Sequence, residues 1–185
     1  MNAVQSHPHA PATVPQKPAA RSDAARIARA WEILAGVEDP EIPAVSIVDL
    51  GLIRFVRANF QGALEVGLSP TYVGCPATEV IRRSVCEALA RAALGDVDVS
   101  NVLSPAWSSD CISDQGRAKL LAYGIVPPDR SVSTMREVLR SHQPVACPHC
   151  QSLDTETVSE FGSTPCKALH RCRACLEPFE YFKCI

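Results

Sequence analysis

The sequence predicts a compact α/β domain followed by a small metal-binding module. Signals for a helix, a hairpin, a second helix, a strand and a third helix follow one another over residues 22–125, and six of the nine cysteines lie beyond residue 146. With 185 residues, 46% hydrophobic and 21% charged, the chain is long and apolar enough for both parts. We expect a disordered Ala- and Pro-rich tail over residues 1–21, a linker over 126–145 and the module over 146–185.

The first predicted helix begins at Ser22, a good capping residue, and ends near Gly36. Between them Ile27, Trp31 and Leu34 recur at helical spacing, so one face of the helix is apolar. The prolines that follow lack the amide donor that a helix needs, so we expect a rigid loop after this helix.

A β-hairpin is predicted next. Residues 53–58 and 64–68 carry the apolar residues of short strands, and residues 59–62 between them, from Asn59 to Gly62, favour a turn. The later elements follow from the same rules: a second helix from about Pro76 to Leu94, a third strand over residues 97–103 and a third helix over residues 113–123.

The charge balance argues against nucleic-acid and membrane partners. Eighteen basic against twenty acidic residues give a net charge of −2, which produces no strong field. No apolar run reaches the length of a membrane span, and no secretory signal is recognisable. We therefore expect a cytoplasmic protein whose cysteines stay reduced and serve metal binding or reactivity rather than disulfides.

Two C-x-x-C pairs predict a tetrahedral metal site in the module. They join Cys147 with Cys150 and Cys172 with Cys175, and two such turns supply four thiolates to one centre. A module of about 40 residues buries too little apolar surface to fold unaided, so a metal would stabilise this zinc-ribbon-like unit. Zinc fits best, while iron, alone or in an iron–sulfur cluster, stays open.

Three further residues of the module are surplus to four ligands: Cys166, His170 and Cys184. They are either two ordinary thiols and a surface histidine, or a second set of soft ligands for transient metal or cluster contact.

Cys75 directly precedes the second predicted helix. Free amide groups at a helix start favour the thiolate form of a cysteine, so Cys75 is a candidate functional thiol, with a small buried side chain as the alternative. Asp39 and Glu41, and further along Asp49, are candidate ligands or ordinary loop carboxylates. The remaining thiols, of Cys86 and Cys111, are expected to be core or neutral positions.

Four motifs resemble the iron–sulfur cluster assembly domain family over residues 25–125. They are D-P-E-I-P at 39–43, V-D-L-G at 48–51, S-P-T-Y-x-G-C-P-A at 69–77 and P-A-W-x-x-D at 105–110. The segments F-G-S-T-x-C-K-A-L at 161–169 and E-P-F-E-Y-F-K-C-I at 177–185 are similar to the branch of that family found in phenylacetate degradation. The resemblance implies a small mixed sheet flanked by helices, plus a C-terminal zinc ribbon.

The resemblance also implies a function. Members of this branch are accessory proteins encoded with the oxygenase that converts phenylacetyl-CoA to its ring epoxide. Carried over to this chain, it implies a non-catalytic maturation factor that handles iron or iron–sulfur clusters at Cys75, with the acidic loop of Asp39 and Glu41. We further expect Cys75 to lie in a cleft near the loop of residues 39–43, with Cys166 or Cys184 of the surplus ligands as its partners in cluster contact. Its partners would be the reductase or oxygenase subunits of the epoxidase, or the iron–sulfur assembly machinery.

Two alternatives belong to other functional classes. One is a thiol enzyme that uses Cys75 on CoA thioesters or on a redox partner, against which we note that no base accompanies this cysteine at a recognisable spacing. The other is a structural subunit that only bridges oxygenase components, which would leave the surplus soft ligands without a role.

Overall fold

The computed structural model describes residues 20–72, 74–128, 130 and 145–183. Residues 1–19 of the predicted tail lie outside this part of the chain, but residues 20 and 21, which were also predicted as tail, belong to the first helix, which begins before Ser22. Most of the predicted linker and Cys184 also lie outside the described residues. We refer to residues 20–128 as the α/β domain and to residues 145–183 as the ribbon.

The α/β domain contains the predicted order of helix, hairpin, helix, strand and helix. Its elements are α1 (Ala20–Leu34), β1 (Ile53–Ala58), β2 (Leu64–Leu68), α2 (Ala77–Arg91), β3 (Val97–Asn101), a 3₁₀ turn (Ser109–Cys111), α3 (Asp114–Ala122) and β4 (Ile125–Val126). The predicted α/β class with a small mixed sheet is confirmed, because β1 pairs with β2 antiparallel and β2 pairs with β3 parallel.

Element boundaries differ from the predicted ones for local reasons. The second helix stops at Arg91 rather than at residue 94, because Ala93 adopts a positive φ of 52°, which no helix continues. The third strand stops at Asn101, where its partner strand ends at Leu68. The third helix starts as expected, since the Ser113 hydroxyl accepts a hydrogen bond from the Gly116 amide at 2.9 Å.

Both longer helices pack on the sheet and on each other. Helix α1 contacts β1, helix α2 contacts β3, and the two helices contact each other. Their inward side chains meet those of β2, and the resulting core includes the fully buried residues Ala30, Leu34, Leu64, Val66, Val85 and Leu89. No helix in the described part of the chain is long and apolar enough to cross a membrane.

The ribbon is an antiparallel sheet that takes in one strand of the α/β domain. Its strands are β5 (Thr155–Ser159), β6 (Lys167–Cys172) and β7 (Pro178–Phe182), and β4 adds to β7 in parallel. Strand β6 was not predicted, because its sequence alternates poorly and includes three basic side chains, yet it lies between two other strands.

The ribbon also contributes to the core of the α/β domain. Cys166 and Phe182, which are 4% and 1% exposed, belong to the main hydrophobic cluster, whereas Cys147, Cys172 and Phe179 form a separate small cluster. One end of the β6–β7 hairpin therefore lies in the α/β domain, and the other end lies at the cysteine pairs.

Candidate metal and thiol sites

The four paired cysteines of the ribbon converge on one point. The sulfur atoms of Cys147, Cys150, Cys172 and Cys175 all lie within 4.8 Å of one another. Among the described residues, this is the one group of three or more potential metal ligands that is drawn so close together. The hairpin β6–β7 and the turn at residues 147–150 bring the two pairs face to face.

The spacing of these sulfurs fits a tetrahedral metal. Cys147 lies 3.7 Å from Cys175 and Cys150 lies 3.5 Å from Cys172, sulfur to sulfur. Four thiolates bound to zinc at about 2.3 Å would be about 3.8 Å apart, whereas a disulfide requires about 2.05 Å. The donor set and its geometry therefore match a closed structural metal site rather than two disulfides.

Backbone amides support a thiolate in this site. The Cys175 N–H donates to the Cys172 sulfur at 3.5 Å, and together with the amide of Ala174 it lowers the pKa of Cys172 to about 6. A thiolate is the form of cysteine that binds metal. His170 is not drawn into the site, because its ring stacks on Phe179 with centroids 5.5 Å apart.

A second site lies where the ribbon meets the α/β domain. A small cavity there is lined by side chains of both units, among them Cys75, Asp39 and Glu41 from the α/β domain and Cys166 and Phe182 from the ribbon. Four of the five predicted cluster-handling residues thus share one cavity, and the fifth, Cys184, lies outside the described residues. The volume of about 20 Å³ has room for about one water-sized particle.

Cys75 reaches this cavity from the loop before α2. Its N–H donates to the Tyr72 carbonyl at 3.3 Å, and its own carbonyl accepts from the Thr78 amide at 3.2 Å. These bonds hold the thiol two residues ahead of Ala77, the first residue of the helix. Cys75 is therefore at the helix start, as predicted, and partly buried.

Asp39 shapes the acidic loop. One of its carboxylate oxygens accepts hydrogen bonds from the amides of Glu41 and Ile42, both at 2.9 Å. Asp39 is 6% exposed, and its burial raises its pKa even though these amides act against the shift. The loop conformation that results directs Glu41 toward the ribbon.

Glu41 and Cys166 meet across the boundary between the two units. The Cys166 thiol donates to a Glu41 carboxylate oxygen at 3.9 Å, although the two residues are 125 positions apart in the sequence. The hydroxyl of Thr164 lies 3.0 Å from the same sulfur. Burial raises the pKa of Cys166 and also that of Glu41.

Lys167 is the buried cation beside these groups. It is 3% exposed, and its ammonium lies 2.9 Å from a carboxylate oxygen of Glu180. Its positive charge acts on Asp39, Glu41 and Cys166 and favours their ionised forms. The sequence analysis did not single out this lysine, although its place directly after Cys166 is a signal that could have found it.

Tyr72 and Phe182 are the other two residues that the sequence analysis missed. Burial, and then the neighbouring Cys75, raise the pKa of Tyr72 to about 12, so its phenol stays neutral beside that thiol. Phe182 closes the ribbon side of the cavity. Both residues lie in the motifs at 69–77 and 177–185, and membership of these motifs is the only sequence signal that could have identified them as part of the site.

Three other candidates take structural positions. Asp49 accepts a hydrogen bond from the Ser46 amide at 3.0 Å and pairs with Lys119 at 2.6 Å, which fixes the turn rather than lining the cavity. The Cys111 sulfur accepts a hydrogen bond from Arg54, and Cys86 packs against the core from α2.

Two known families match separate parts of the chain. Residues 27–102 match the family described as iron–sulfur cluster assembly protein, and residues 131–183 match the PaaD zinc beta ribbon domain. A crystal structure of a domain of unknown function, DUF59, from Bacillus anthracis superimposes with a TM-score of 0.50 at 29% identity, over 54% of this chain and 94% of that one.

Individual relatives extend these matches. A protein of Escherichia coli K12 named as a subunit of 1,2-phenylacetyl-CoA epoxidase is 44% identical over 157 residues, which span 84% of this chain and 91% of its own. The Fe-S protein maturation auxiliary factor SufT of Staphylococcus aureus is 34% identical over 85 residues, 45% of this chain and 96% of its own. The auxiliary factor YitW of Bacillus subtilis is 36% identical over 93 residues, 50% of this chain and 87% of its own.

Proposed function

Since this chain belongs to the PaaD family of 1,2-phenylacetyl-CoA epoxidase proteins, we propose that it is a non-catalytic factor that matures the iron centres of that epoxidase. Its partners would be the reductase and oxygenase components. The relatives that match the α/β domain alone are named as maturation factors for iron–sulfur proteins, which supports a role in handling iron or clusters rather than in the epoxidation.

The observation that carries this proposal is the cavity shared by Cys75 and Cys166. Thiols and carboxylates on one small cavity are donors for iron, and the cavity is partly enclosed, which protects a bound ion from solvent. No histidine is among the described residues that line it, so a thiol enzyme would have to use the carboxylate of Asp39 or Glu41 as its base. We place the protein in the cytoplasm, where such thiols stay reduced.

We further propose that the ribbon cysteines bind zinc as a permanent structural ion. Zinc bound by four thiolates supplies folding energy and no redox chemistry. The four sulfurs lie within 4.8 Å of one another, close to the spacing around a tetrahedral zinc ion. The β6–β7 hairpin, fixed at one end by the cysteine ligands, would then keep Cys166 and Phe182 in place at its other end.

Co-expression tests the maturation role. The epoxidase components are purified after expression with the wild-type chain, with Cys75→Ser or with Cys86→Ser, and their iron and acid-labile sulfide are measured. We expect Cys75→Ser to lower iron or sulfide several-fold and Cys86→Ser, a thiol outside the cavity, to change nothing. Full metal loading with Cys75→Ser, while the protein still co-purifies with the epoxidase, would favour the structural bridge and contradict the proposal.

A further inference from the structure

We propose that the cavity between Cys75, Cys166 and Glu41 takes a single ferrous ion rather than an assembled iron–sulfur cluster. This inference rests on the proposed function and specifies its cargo. It makes the α/β domain and the ribbon two halves of one site, because each half alone supplies only part of the donors.

The cavity is small compared with a cluster. The cavity has room for about one water-sized particle, which is also the size of a metal ion. An iron–sulfur cluster has at least two irons and two bridging sulfides and is several times larger. The wall on the ribbon side is the ring of Phe182, which is 1% exposed and part of the core, so widening the cavity on that side requires the ribbon to move.

The number and kind of donors in the cavity also favour a single ion. Clusters are held by four cysteine thiolates, or by two with two histidines. The described residues that line the cavity offer two cysteines, two carboxylates and no histidine. Mixed sulfur and oxygen donors suit a borderline divalent ion such as Fe²⁺, whereas Mg²⁺ and Ca²⁺ prefer oxygen alone.

Two donors of the cavity already lie at a suitable spacing. The sulfur of Cys166 and a carboxylate oxygen of Glu41 are 3.9 Å apart, close to the distance between two ligands on one ion. The four ribbon sulfurs are the one group of three or more potential ligands, among the described residues, whose atoms all lie within 4.8 Å of one another. The donors of the cavity, taken together, are therefore spread more widely than the ribbon sulfurs. Because the ligands must move closer together to bind an ion, part of the binding free energy is spent on that movement, and the ion is held less tightly. Weaker binding suits an ion that is passed on to another protein.

Uptake and release conserve charge and oxidation state. Each thiol that coordinates the ion gives its proton to solvent, and iron remains Fe²⁺ throughout. Lys167, held by Glu180 at 2.9 Å, keeps one positive charge beside the carboxylates when the ion leaves. Because Cys166 belongs to the ribbon, movement of the ribbon away from the α/β domain removes a ligand and opens a path for release.

A titration with Co²⁺ in place of Fe²⁺ tests this. The full chain is first loaded with one equivalent of zinc, which stays in the ribbon because zinc binds the same ligands more tightly than cobalt. Anaerobic addition of Co²⁺ should then fill one further site per chain, with absorption bands from thiolate-to-cobalt charge transfer. Zinc content is measured in parallel to show that no exchange occurred, and Fe²⁺ is titrated in competition.

Variants identify the ligands. We expect Cys75→Ser, Cys166→Ser and Glu41→Gln each to weaken the second site at least tenfold, and the two cysteine variants to lose charge-transfer intensity. Cys86→Ser is the matched control and should titrate as the wild-type chain does. A second site that is absent, or that is unaffected by all three variants, would overturn the proposal.

Reconstitution with iron and sulfide separates the two cargoes. The zinc-loaded chain should retain iron without acid-labile sulfide, and a stable cluster that depends on Cys75 would overturn the inference. If epoxidase maturation requires Cys75 but no single ion binds, this inference fails while the proposed function stands. If one ion binds but maturation does not require Cys75, the proposed function fails instead.

Discussion

Phe182 of the ribbon packs on Trp107 of the α/β domain, with ring centroids 5.9 Å apart and the ring planes inclined by 52°. The indole N–H of Trp107 donates to the Leu50 carbonyl at 2.9 Å, so the ring that receives Phe182 is itself fixed. This aromatic pair holds the ribbon against the α/β domain at the edge of the thiol cavity.

Replacing Phe182 with alanine should therefore loosen the ribbon. We expect the free energy of unfolding to fall by about 3–5 kcal/mol, the usual loss for a buried phenylalanine, as measured by urea denaturation. Alkylation of Cys75, followed by mass spectrometry, should also become faster. Phe60→Ala, at a side chain that is 99% exposed, should change neither quantity. Equal alkylation of Cys75 in both variants would refute a capping role for Phe182.

Loss of the ribbon metal should expose the distant cavity. Strand β6 runs from Lys167, next to Cys166, to Cys172, so disorder at the metal end reaches the cavity through six residues of one strand. We expect Cys172→Ser, or treatment with a chelator, to release the metal and to increase the alkylation rate of Cys75 and Cys166 several-fold. Cys86 serves as an internal reference. Release of the metal with unchanged protection of Cys75 would show that the ribbon stays docked without it.

The ion pair of Asp49 should stabilise the fold only above acidic pH. Burial alone would raise the pKa of Asp49, but Lys119 and Ser46 outweigh it and hold the pKa below its usual range. A group with a lowered folded pKa stabilises the protein above its unfolded pKa of about 3.9, and this contribution is lost as the pH falls through the folded value.

Asp49→Asn should thus lower the free energy of unfolding at pH 7 by about 1–3 kcal/mol, through loss of the charged hydrogen bonds. The difference from the wild-type chain should shrink as the pH falls below about 4. Denaturation curves between pH 3 and 7 measure it, and a difference that is constant over this range would contradict the assignment.

Binding of a divalent ion to the cavity should tighten as the pH rises. Burial raises the pKa of Cys166, the charges of Glu41 and Asp39 add to the shift, and Thr164 and Lys167 oppose it. Since the ion displaces the thiol proton, the association constant should rise up to about tenfold per pH unit for each proton released. Cobalt titrations at several pH values measure this slope. A slope near zero would mean that Cys166 is not a ligand, and Cys166→Ser should reduce the slope by one proton.

The parts of the molecule that sequence predicts well are those set by short-range chemistry. The spacing of Cys147 with Cys150 and of Cys172 with Cys175 is enough to predict that the ribbon sulfurs converge, because each C-x-x-C turn orients its own pair. The hairpin of β1 and β2 was predicted to the residue, since its strand and turn signals are local.

The composition of the cavity is beyond such rules. Cys166 meets Glu41 across 125 residues, and this contact depends on how β7 pairs with β4 and on where Phe182 enters the core. The roles of Lys167 and Phe182 become visible only after that docking is known. The resemblance pointed to Cys75, Asp39 and Glu41, and the surplus of soft ligands pointed to Cys166 and Cys184. A cleft near the loop of residues 39–43 was predicted from these, but its ribbon wall was not.

The most direct test of the account is a double-mutant cycle on epoxidase maturation. Iron per epoxidase is measured after co-expression with Cys75→Ser, with Cys166→Ser and with the double variant. If both thiols serve one iron site, each single variant should lower the iron content several-fold, and the double variant should lower it no further. Wild-type iron content with either single variant, or independent losses that multiply in the double variant, would contradict a shared site between the α/β domain and the ribbon.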